Sequence, residues 1–252
     1  MSPKLTLPGA TLIIVMISGC LRSYAQQPAA DPAAVYNAVQ LYHKALNPET
    51  GLYNGSQYLD YTFKLKEGIP FFRSATFTEG AIMYDGVLYE KVPMLLDLVI
   101  GSVIIKDPAA IFWIQLINEK VSWFTIGENS FVKIVADSLS GNSIMRTGFY
   151  QELYKGKLTM LKRHTKTVQE KIDQLDGVQR YIDDSRSYYI KKDEQYYAVN
   201  SKATLLKVLK DKKSEISQYI RKQKLDLRND KDHAFAAVAA YYDGLVSGAV
   251  QP

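Results

Sequence analysis

Ile82-Met83-Tyr84-Asp85-Gly86-Val87-Leu88-Tyr89 decides the architecture. Two β-preferring apolar triplets flank Asp-Gly. That dipeptide supplies the two positive φ angles of a type I′ turn, whose twist matches that of the strands it joins. The segment is an antiparallel hairpin, and the same grammar extends to both sides of it. Upstream, Tyr61, Phe63 and Leu65 alternate with Thr62 and Lys64. Downstream, apolar runs at 92–105, 111–117, 121–126 and 131–135 are separated by Gly101-Ser102, Asp107-Pro108, Asn118-Glu119 and residues 127–129. Residues 149–154 and 157–168 flank Lys155-Gly156, and 188–191 and 196–199 flank Asp193-Glu194. About ten short strands joined by tight turns predict an antiparallel meander over 52–200, as an open curved sheet, a half-barrel or a sandwich. Residues 168–184 are polar and fit either a short helix or an excursion between strands.

The apolar period changes after Asn200. Leu205, Leu206 and Leu209, then Ile216, Tyr219 and Ile220, then Phe235, Val238 and Tyr242 recur at helical spacing. Ser201 and Ser214 are candidate caps, and Asp243-Gly244 is a candidate stop. These helices are expected to pack on the sheet, since neither layer buries its apolar face alone. A further helix is expected near the start of the chain. Asp31-Pro32 opens it, Val35, Val39, Tyr42 and Leu46 give it one apolar face, and Asn47-Pro48 with Gly51 stops it. The expected class is α+β and β-dominated, with a signal peptide over 1–25, linker and helix over 26–51, a β-rich region over 52–200 and C-terminal helices over 201–252 as one globular unit.

Composition supports a folded core. Hydrophobic residues make up 47% of the 252 and charged residues 23%, which excludes wholesale disorder. The 18 tyrosines suit half-buried sheet faces, because the ring packs while the hydroxyl stays wet. The formal charge of +5 is uneven: acids outnumber bases over 31–146, and the excess of Lys and Arg lies in 202–231. A basic segment of that kind is not the basic reading face of a nucleic-acid binder. Tyr-x-Gly occurs at Tyr53, Tyr84, Tyr154 and Tyr242 with irregular spacing, which fits turn punctuation and not a solenoid repeat.

The first residues carry an export pattern. Lys4 precedes the apolar run Leu12-Ile13-Ile14-Val15-Met16-Ile17, and Ser23-Tyr24-Ala25 offers small residues ahead of Gln26. Cleavage between Ala25 and Gln26 is expected. The run is shorter than the roughly 20 residues of a membrane span, so none is expected in the mature chain. Ile17-Ser18-Gly19-Cys20 offers a second processing route, lipidation of Cys20, the one cysteine of the chain. Either route implies export, and a core without disulfides must hold the mature fold.

No catalytic constellation stands out, and no cofactor or metal site is expected. His43, His164 and His233 are isolated, and no mature cysteine is left for a zinc site. Ser130-x-x-Lys133, Ser140-Gly-Asn142 and Arg146-Thr-Gly148 look like penicillin-binding boxes. In a strand, however, Ser130 and Lys133 fall on opposite faces, whereas that chemistry needs one helical turn between them. Asp60, Glu79, Asp85, Glu90 and Asp97 fit a solvated sheet face. Trp113 and Trp123 fit the core or a sugar-stacking face. Lys207, Lys210, Lys212, Lys213, Arg221, Lys222 and Lys224 form a basic helical stripe that fits a solvated face or contact with a membrane surface.

Several stretches resemble a family of uncharacterised exported proteins of Bacteroidota: Leu52-Tyr-Asn-Gly55, Ile69-Pro-Phe-Phe72, Tyr84-Asp-Gly-Val-Leu-Tyr89 with Val92-Pro-Met94, Phe149-Tyr-Gln-Glu-Leu-Tyr154, Tyr188-Tyr-Ile-Lys-Lys192 and 205–213. Ser23-Tyr-Ala-Gln-Gln27 is similar to the leaders of exported proteins in that group, and Asp137-Ser138-Leu139 resembles its short O-glycosylation acceptor. The resemblance implies location, in the periplasm or cell envelope of a Gram-negative bacterium, and architecture, and carries no activity. The expectation is an envelope protein that binds a protein, glycan or lipid partner without catalysis. The alternatives are a periplasmic carrier of a lipid or other apolar ligand, and a hydrolase of unfamiliar type. A dry cavity between sheet and helices marks the carrier, and a histidine bonded to a carboxylate in one cleft marks the hydrolase.

Overall fold

The structure is a computed structural model that describes residues 51–109, 111–136, 144–175 and 177–248. The expected export segment with Cys20, Ala25 and Gln26, the N-terminal helix with His43, and Asp137-Ser138-Leu139 lie outside the described residues.

Eleven strands form one antiparallel sheet: β1 (Ser56–Gln57), β2 (Thr78–Tyr84), β3 (Val87–Asp97), β4 (Ser102–Lys106), β5 (Trp113–Gln115), β6 (Val121–Ile126), β7 (Asn129–Ile134), β8 (Gly148–Lys155), β9 (Thr159–Asp173), β10 (Gly177–Lys192) and β11 (Gln195–Ala198). Their order is β1-β5-β4-β3-β2-β6-β7-β8-β9-β10-β11. The founding hairpin is present, with Asp85 at φ 52° and Gly86 at φ 78°, as a type I′ turn requires. The sheet is not one continuous meander. β2 to β5 run outward in one direction, and the chain then returns to start β6 beside β2. That return crosses four strand spacings, about 19 Å on a flat sheet. Only residues 116–120 make the crossing, and a 3-10 turn at Asn118–Lys120 shortens them. The sheet rolls up to make the link. The roll is visible where the Lys166 N–H of β9 donates to the Leu98 carbonyl just beyond β3.

One row of cross-strand partners shows how the concave face is built. Tyr89 pairs with Ile82, Ile82 with Phe124, Phe124 with Phe131, Phe131 with Gln151, Gln151 with Lys162 and Lys162 with Tyr188. Directly opposed residues share a face, so this row runs from a wholly apolar end to a polar centre. On the apolar side the roll closes on Leu52, Met94, Leu96, Val103, Ile105 and Phe131, all 2% exposed or less. Phe72 enters as a plug, edge-on to both Phe131 and His164 at 5.1 Å. Lys166 holds that strap in place by donating from Nζ to the carbonyls of Ile69 and Phe71 at 2.8 Å.

Beyond the polar centre, α1 (Lys202–Val208), α2 (Lys213–Lys222) and α3 (Lys231–Val246) cover the sheet. Leu205, Leu209, Ile216, Ile220, Phe235, Val238 and Tyr242 pack on Leu158, Met160, Tyr188 and Ile190, as the helical spacing predicts. Ser201 caps α1 in a reciprocal capping box with Thr204. Three carboxylates then fix the helices to the sheet. Asp232 accepts from Lys162 Nζ at 2.6 Å and from the Tyr188 hydroxyl at 2.8 Å. Asp211 accepts from Lys192 Nζ at 2.7 Å and from the Tyr242 hydroxyl at 2.8 Å. Asp243 accepts from the Leu158 N–H and the Tyr154 hydroxyl.

Four expectations need correction. Tyr61 to Leu65 is not a strand, because the Tyr61 hydroxyl is drawn to the buried Asp97 carboxylate and breaks the alternation. Residues 168–184 are neither a helix nor an excursion: the described part continues β9 and β10 outward as a two-stranded arm. Ser214 does not cap α2, whose first helical residue is Lys213. Asp243-Gly244 does not end α3, which runs to Val246, with Gly248 at φ 70° just beyond it.

Candidate functional site

The sequence-marked chemical residues do not converge. His164 lies on β9, two residues along from Lys162, and so faces the concave side. Its Nε2 lies 2.8 Å from Gln151 Oε1, and the Gln151 amide nitrogen donates to Asn129 Oδ1. That second bond fixes the amide orientation, so His164 Nε2 carries the proton and donates. Burial, with a smaller contribution from the Lys162 charge, pushes the imidazole down to about 3. This is a neutral histidine joined to an amide, not a base oriented by a carboxylate. His233 is exposed beside Asp230 at the start of α3.

Ser130 bonds Glu152, whereas Lys133 Nζ donates to the Asn118 carbonyl at 2.5 Å. The two side chains point apart. Asp60, Glu79, Asp85 and Glu90 are exposed as expected, but Asp97 is fully buried. Its carboxylate accepts from the Tyr58 and Tyr61 hydroxyls and from the N–H groups of Val99 and Ile100. Burial, reinforced by Asp97, raises both tyrosines well above the ordinary phenol value. Trp113 stacks on Tyr58 at 5.9 Å within a cluster behind β3 and β4, and so is spent on packing. Among the described residues no group of three His, Cys, Asp or Glu side chains is placed to hold a metal ion. No described helix is long and apolar enough to cross a membrane.

One cleft opens on the concave side, with a volume of about 260 Å³. Leu98 to Gly101 form one wall, and Lys133, Phe149 and His164 line the other. The Lys133 ammonium is committed to the Asn118 carbonyl, and the Arg163 guanidinium lies over the Tyr150 ring at 5.7 Å. These two cationic groups are engaged in structure, whereas Glu119, which also lines the cleft, is exposed. Nothing in it unites a nucleophile with a base.

The more distinctive surface is the arm. β9 and β10 pair over a 15-residue ladder, from Lys191↔Thr159 to Gly177↔Asp173. At about 3.3 Å per residue the ladder is roughly 46 Å long. Residues 66–68 brace β10 along part of it, through the Lys66 N–H to the Arg180 carbonyl and the Ile182 N–H to the Glu67 carbonyl. An Arg180–Glu170 ion pair at 2.7 Å crosses the arm at the outer edge of that brace. At the tip Ile172 is 87% exposed, Leu175 96% and Val178 51%, and Ile172 stands directly opposite Val178. Three large aliphatic side chains at the end of a two-stranded projection form an uncovered apolar patch.

This patch is absent from the sequence expectation. The signal that could have found it is a weak mirror arrangement: Val168, Glu170 and Ile172 stand opposite Ile182, Arg180 and Val178 about a turn beside Gly177. High polarity hid it, since most of the arm's positions are solvated.

A second feature lies at the helical end of the molecule. Leu225 and Leu227 floor a groove of about 730 Å³. Lys202, Lys224, Arg228 and Lys231 rim it. Of the stripe marked in the sequence, Lys224 takes part in this groove, whereas Lys207, Lys210, Lys213 and Arg221 are exposed along the helices. Comparison of the chain with protein-family models, curated proteins and solved structures gives no match.

Proposed function

We propose that this chain is a non-catalytic binding module of a bacterial cell envelope, exported through its N-terminal leader, which presents the β9–β10 arm to a protein partner. The observation that supports this reading is the arm itself, with Ile172, Leu175 and Val178 held in water at the end of a braced ladder. Exposing three aliphatic side chains forgoes on the order of 1.5–3 kcal/mol of burial for each. A projection that holds them away from the core is suited to contact. The filled interior weighs against the carrier alternative: between sheet and helices, Leu205, Leu209, Phe235 and Val238 pack directly on Leu158, Met160 and Ile190, and Phe72, Phe124 and Phe131 fill the roll. The amide-bonded, neutral His164 weighs against the hydrolase.

The test is site-specific photocrosslinking in cells of the native host. A photoreactive side chain at Leu175 is expected to give a discrete protein adduct in the envelope fraction, and the same probe at exposed Glu90 none. Absence of any Leu175 adduct, or recovery of the chain in the cytosol with its leader uncut, would refute the reading.

A further inference from the structure

The apolar arm tip and the basic-rimmed helical groove are complementary. Between Asp173 and Val178 the sequence carries two acids, Asp173 and Asp176, and no base, with Lys171 the nearest base before them; the Asp173 carboxylate also accepts the Leu175 N–H at 2.9 Å. The groove offers the converse: a floor of Leu225 and Leu227 inside a ring of Lys202, Lys224, Arg228 and Lys231. The one acid on that rim, Asp226, turns its carboxylate to the N–H groups of Arg228 and Asn229. Lys231 Nζ rests on the Asn200 carbonyl at 3.2 Å and keeps its charge at the mouth.

The two surfaces cannot meet within one molecule. The groove adjoins the sheet at Tyr188, whose N–H donates to Asn200 Oδ1 and whose hydroxyl donates to Asp232. From Tyr188 to Val178 the strand runs ten residues outward, about 33 Å at 3.3 Å per residue. Pairing along that length, with the 66–68 brace, prevents the arm from folding back.

We infer that the arm tip of one copy seats in the Leu225–Leu227 groove of a second copy of this chain, which returns its own tip to the first. This rests on the reading of the arm as a docking element, and it names the partner. Reciprocity follows from area. One tip, with three large side chains of which Val178 is only 51% exposed, is a contact no larger than the roughly 1,000 Å² lower limit for a specific interface. Two such contacts in a closed pair reach the standard size, and a two-fold pair closes where a one-way contact would grow into a chain. A membrane fits the groove less well as an occupant. It would leave the apolar tip uncovered.

The test uses the mature chain by sedimentation velocity and light scattering at up to about 100 µM, above the micromolar affinities that modest interfaces reach. A concentration-dependent dimer is expected, weakening as salt rises because its rim contacts are charged. Leu175→Asp and Lys224→Glu/Arg228→Glu should each raise the dissociation constant about tenfold or more, equivalent to about 1.4 kcal/mol. Circular dichroism and melting should stay as in the parent. Residues 26–252 contain no cysteine, so Leu175→Cys with Arg228→Cys gives a clean trap, and oxidation should yield a covalent dimer. A monomer at all concentrations with no covalent dimer overturns the inference. So does a dimer indifferent to the tip and groove substitutions. Binding to anionic phospholipid vesicles lost with Lys224→Glu/Arg228→Glu but kept with Leu175→Asp would assign the groove to a membrane and also overturn it. A monomer whose Leu175 probe crosslinks to a different protein sinks the second copy alone and leaves the arm as a docking element. No crosslink to any protein sinks both.

Discussion

The Asp243 carboxylate, near the end of α3, accepts the backbone N–H of Leu158 at 3.0 Å, across 85 residues of chain. The Tyr154 hydroxyl donates to the same group at 3.1 Å. This carboxylate closes the turn between β8 and β9 and fixes the helical layer to the sheet. Gly156 stands in that turn for lack of space: a Cβ there would lie 2.1 Å from Asp243 Oδ2. Asp243→Ala should destabilise the fold by about 1–3 kcal/mol, because a buried N–H loses its acceptor. Gly156→Ala should destabilise it through the clash. In urea titrations the double variant should cost clearly less than the sum of the two, since removing the carboxylate makes room for the methyl. Simple additivity would exclude this geometry.

The same residues show how far the sequence carries. Tyr-x-Gly marks both 154–156 and 242–244, and turn punctuation is the natural reading of each. The structure brings the two together, so that the aspartate of one fills the space left by the glycine of the other. Period-2 and period-3.6 patterns mark most of the buried strands and the three C-terminal helices, because those patterns report which face is buried. They are silent on the roll of the sheet, which depends on the β2–β6 pairing and the short return at 116–120. They are equally silent on Asp97, an acid at an alternating position that ends fully buried among two hydroxyls and two N–H groups. The arm was overlooked for the opposite reason: neither of its faces is buried enough to impose a pattern.

His164 sets part of the acid limit of stability. The unfolded chain takes up this proton near 6.5, whereas the folded chain, held neutral chiefly by burial, takes it up only near 3. The unfolded state therefore binds more protons between those values. The contribution is fully present above pH 6.5 and is lost as pH falls toward 3, at up to about 1.4 kcal/mol per pH unit. Neighbouring Lys162 and Arg186 push in this direction, while Asp184 and Asp232 oppose it. Denaturation free energies measured from pH 7 to 4 should fall less steeply for His164→Gln than for the parent. Parallel curves would show that His164 titrates normally.

Lys162 and Asp232 should behave as a strongly coupled pair. The Lys162 side chain is 5% exposed, and that of Asp232 is 39% exposed. Burial acts to raise the Asp232 carboxyl, but the Lys162 and Tyr188 hydrogen bonds outweigh it and hold the group below its ordinary value. Asp232→Ala strands an ammonium in the interior. Breaking a buried pair costs about 3–5 kcal/mol, and the partial exposure of this carboxylate argues for the lower end of that range or less. Lys162→Met alone should cost less, because Asp232 keeps the Tyr188 hydroxyl and contact with water. Lys162→Met/Asp232→Ala should recover most of the loss, read as a shift in the denaturation midpoint at unchanged slope. A double variant no better than Asp232→Ala would mean that the ammonium finds another acceptor.

Removing the arm tip should leave the fold intact. Cutting out residues 172–178 and joining Lys171, which faces Gln179 in the ladder, to Gln179 through Asn-Gly would keep the register and close the ribbon with a type I′ turn. The brace from residues 66–68 lies at Arg180 to Ile182, below the cut, and would survive. Among the described side chains of the removed segment, Ile172, Leu175 and Val178 lie outside the core clusters and are largely hydrated, so their loss forfeits little burial. The shortened chain should unfold cooperatively, with its thermal midpoint within about 4–8 °C of the parent, the shift that about 1 kcal/mol produces in a small domain and an upper bound for a larger one. Its self-association should be lost. A collapse of the midpoint would assign the tip a structural role and remove the reason for regarding those three side chains as a contact surface.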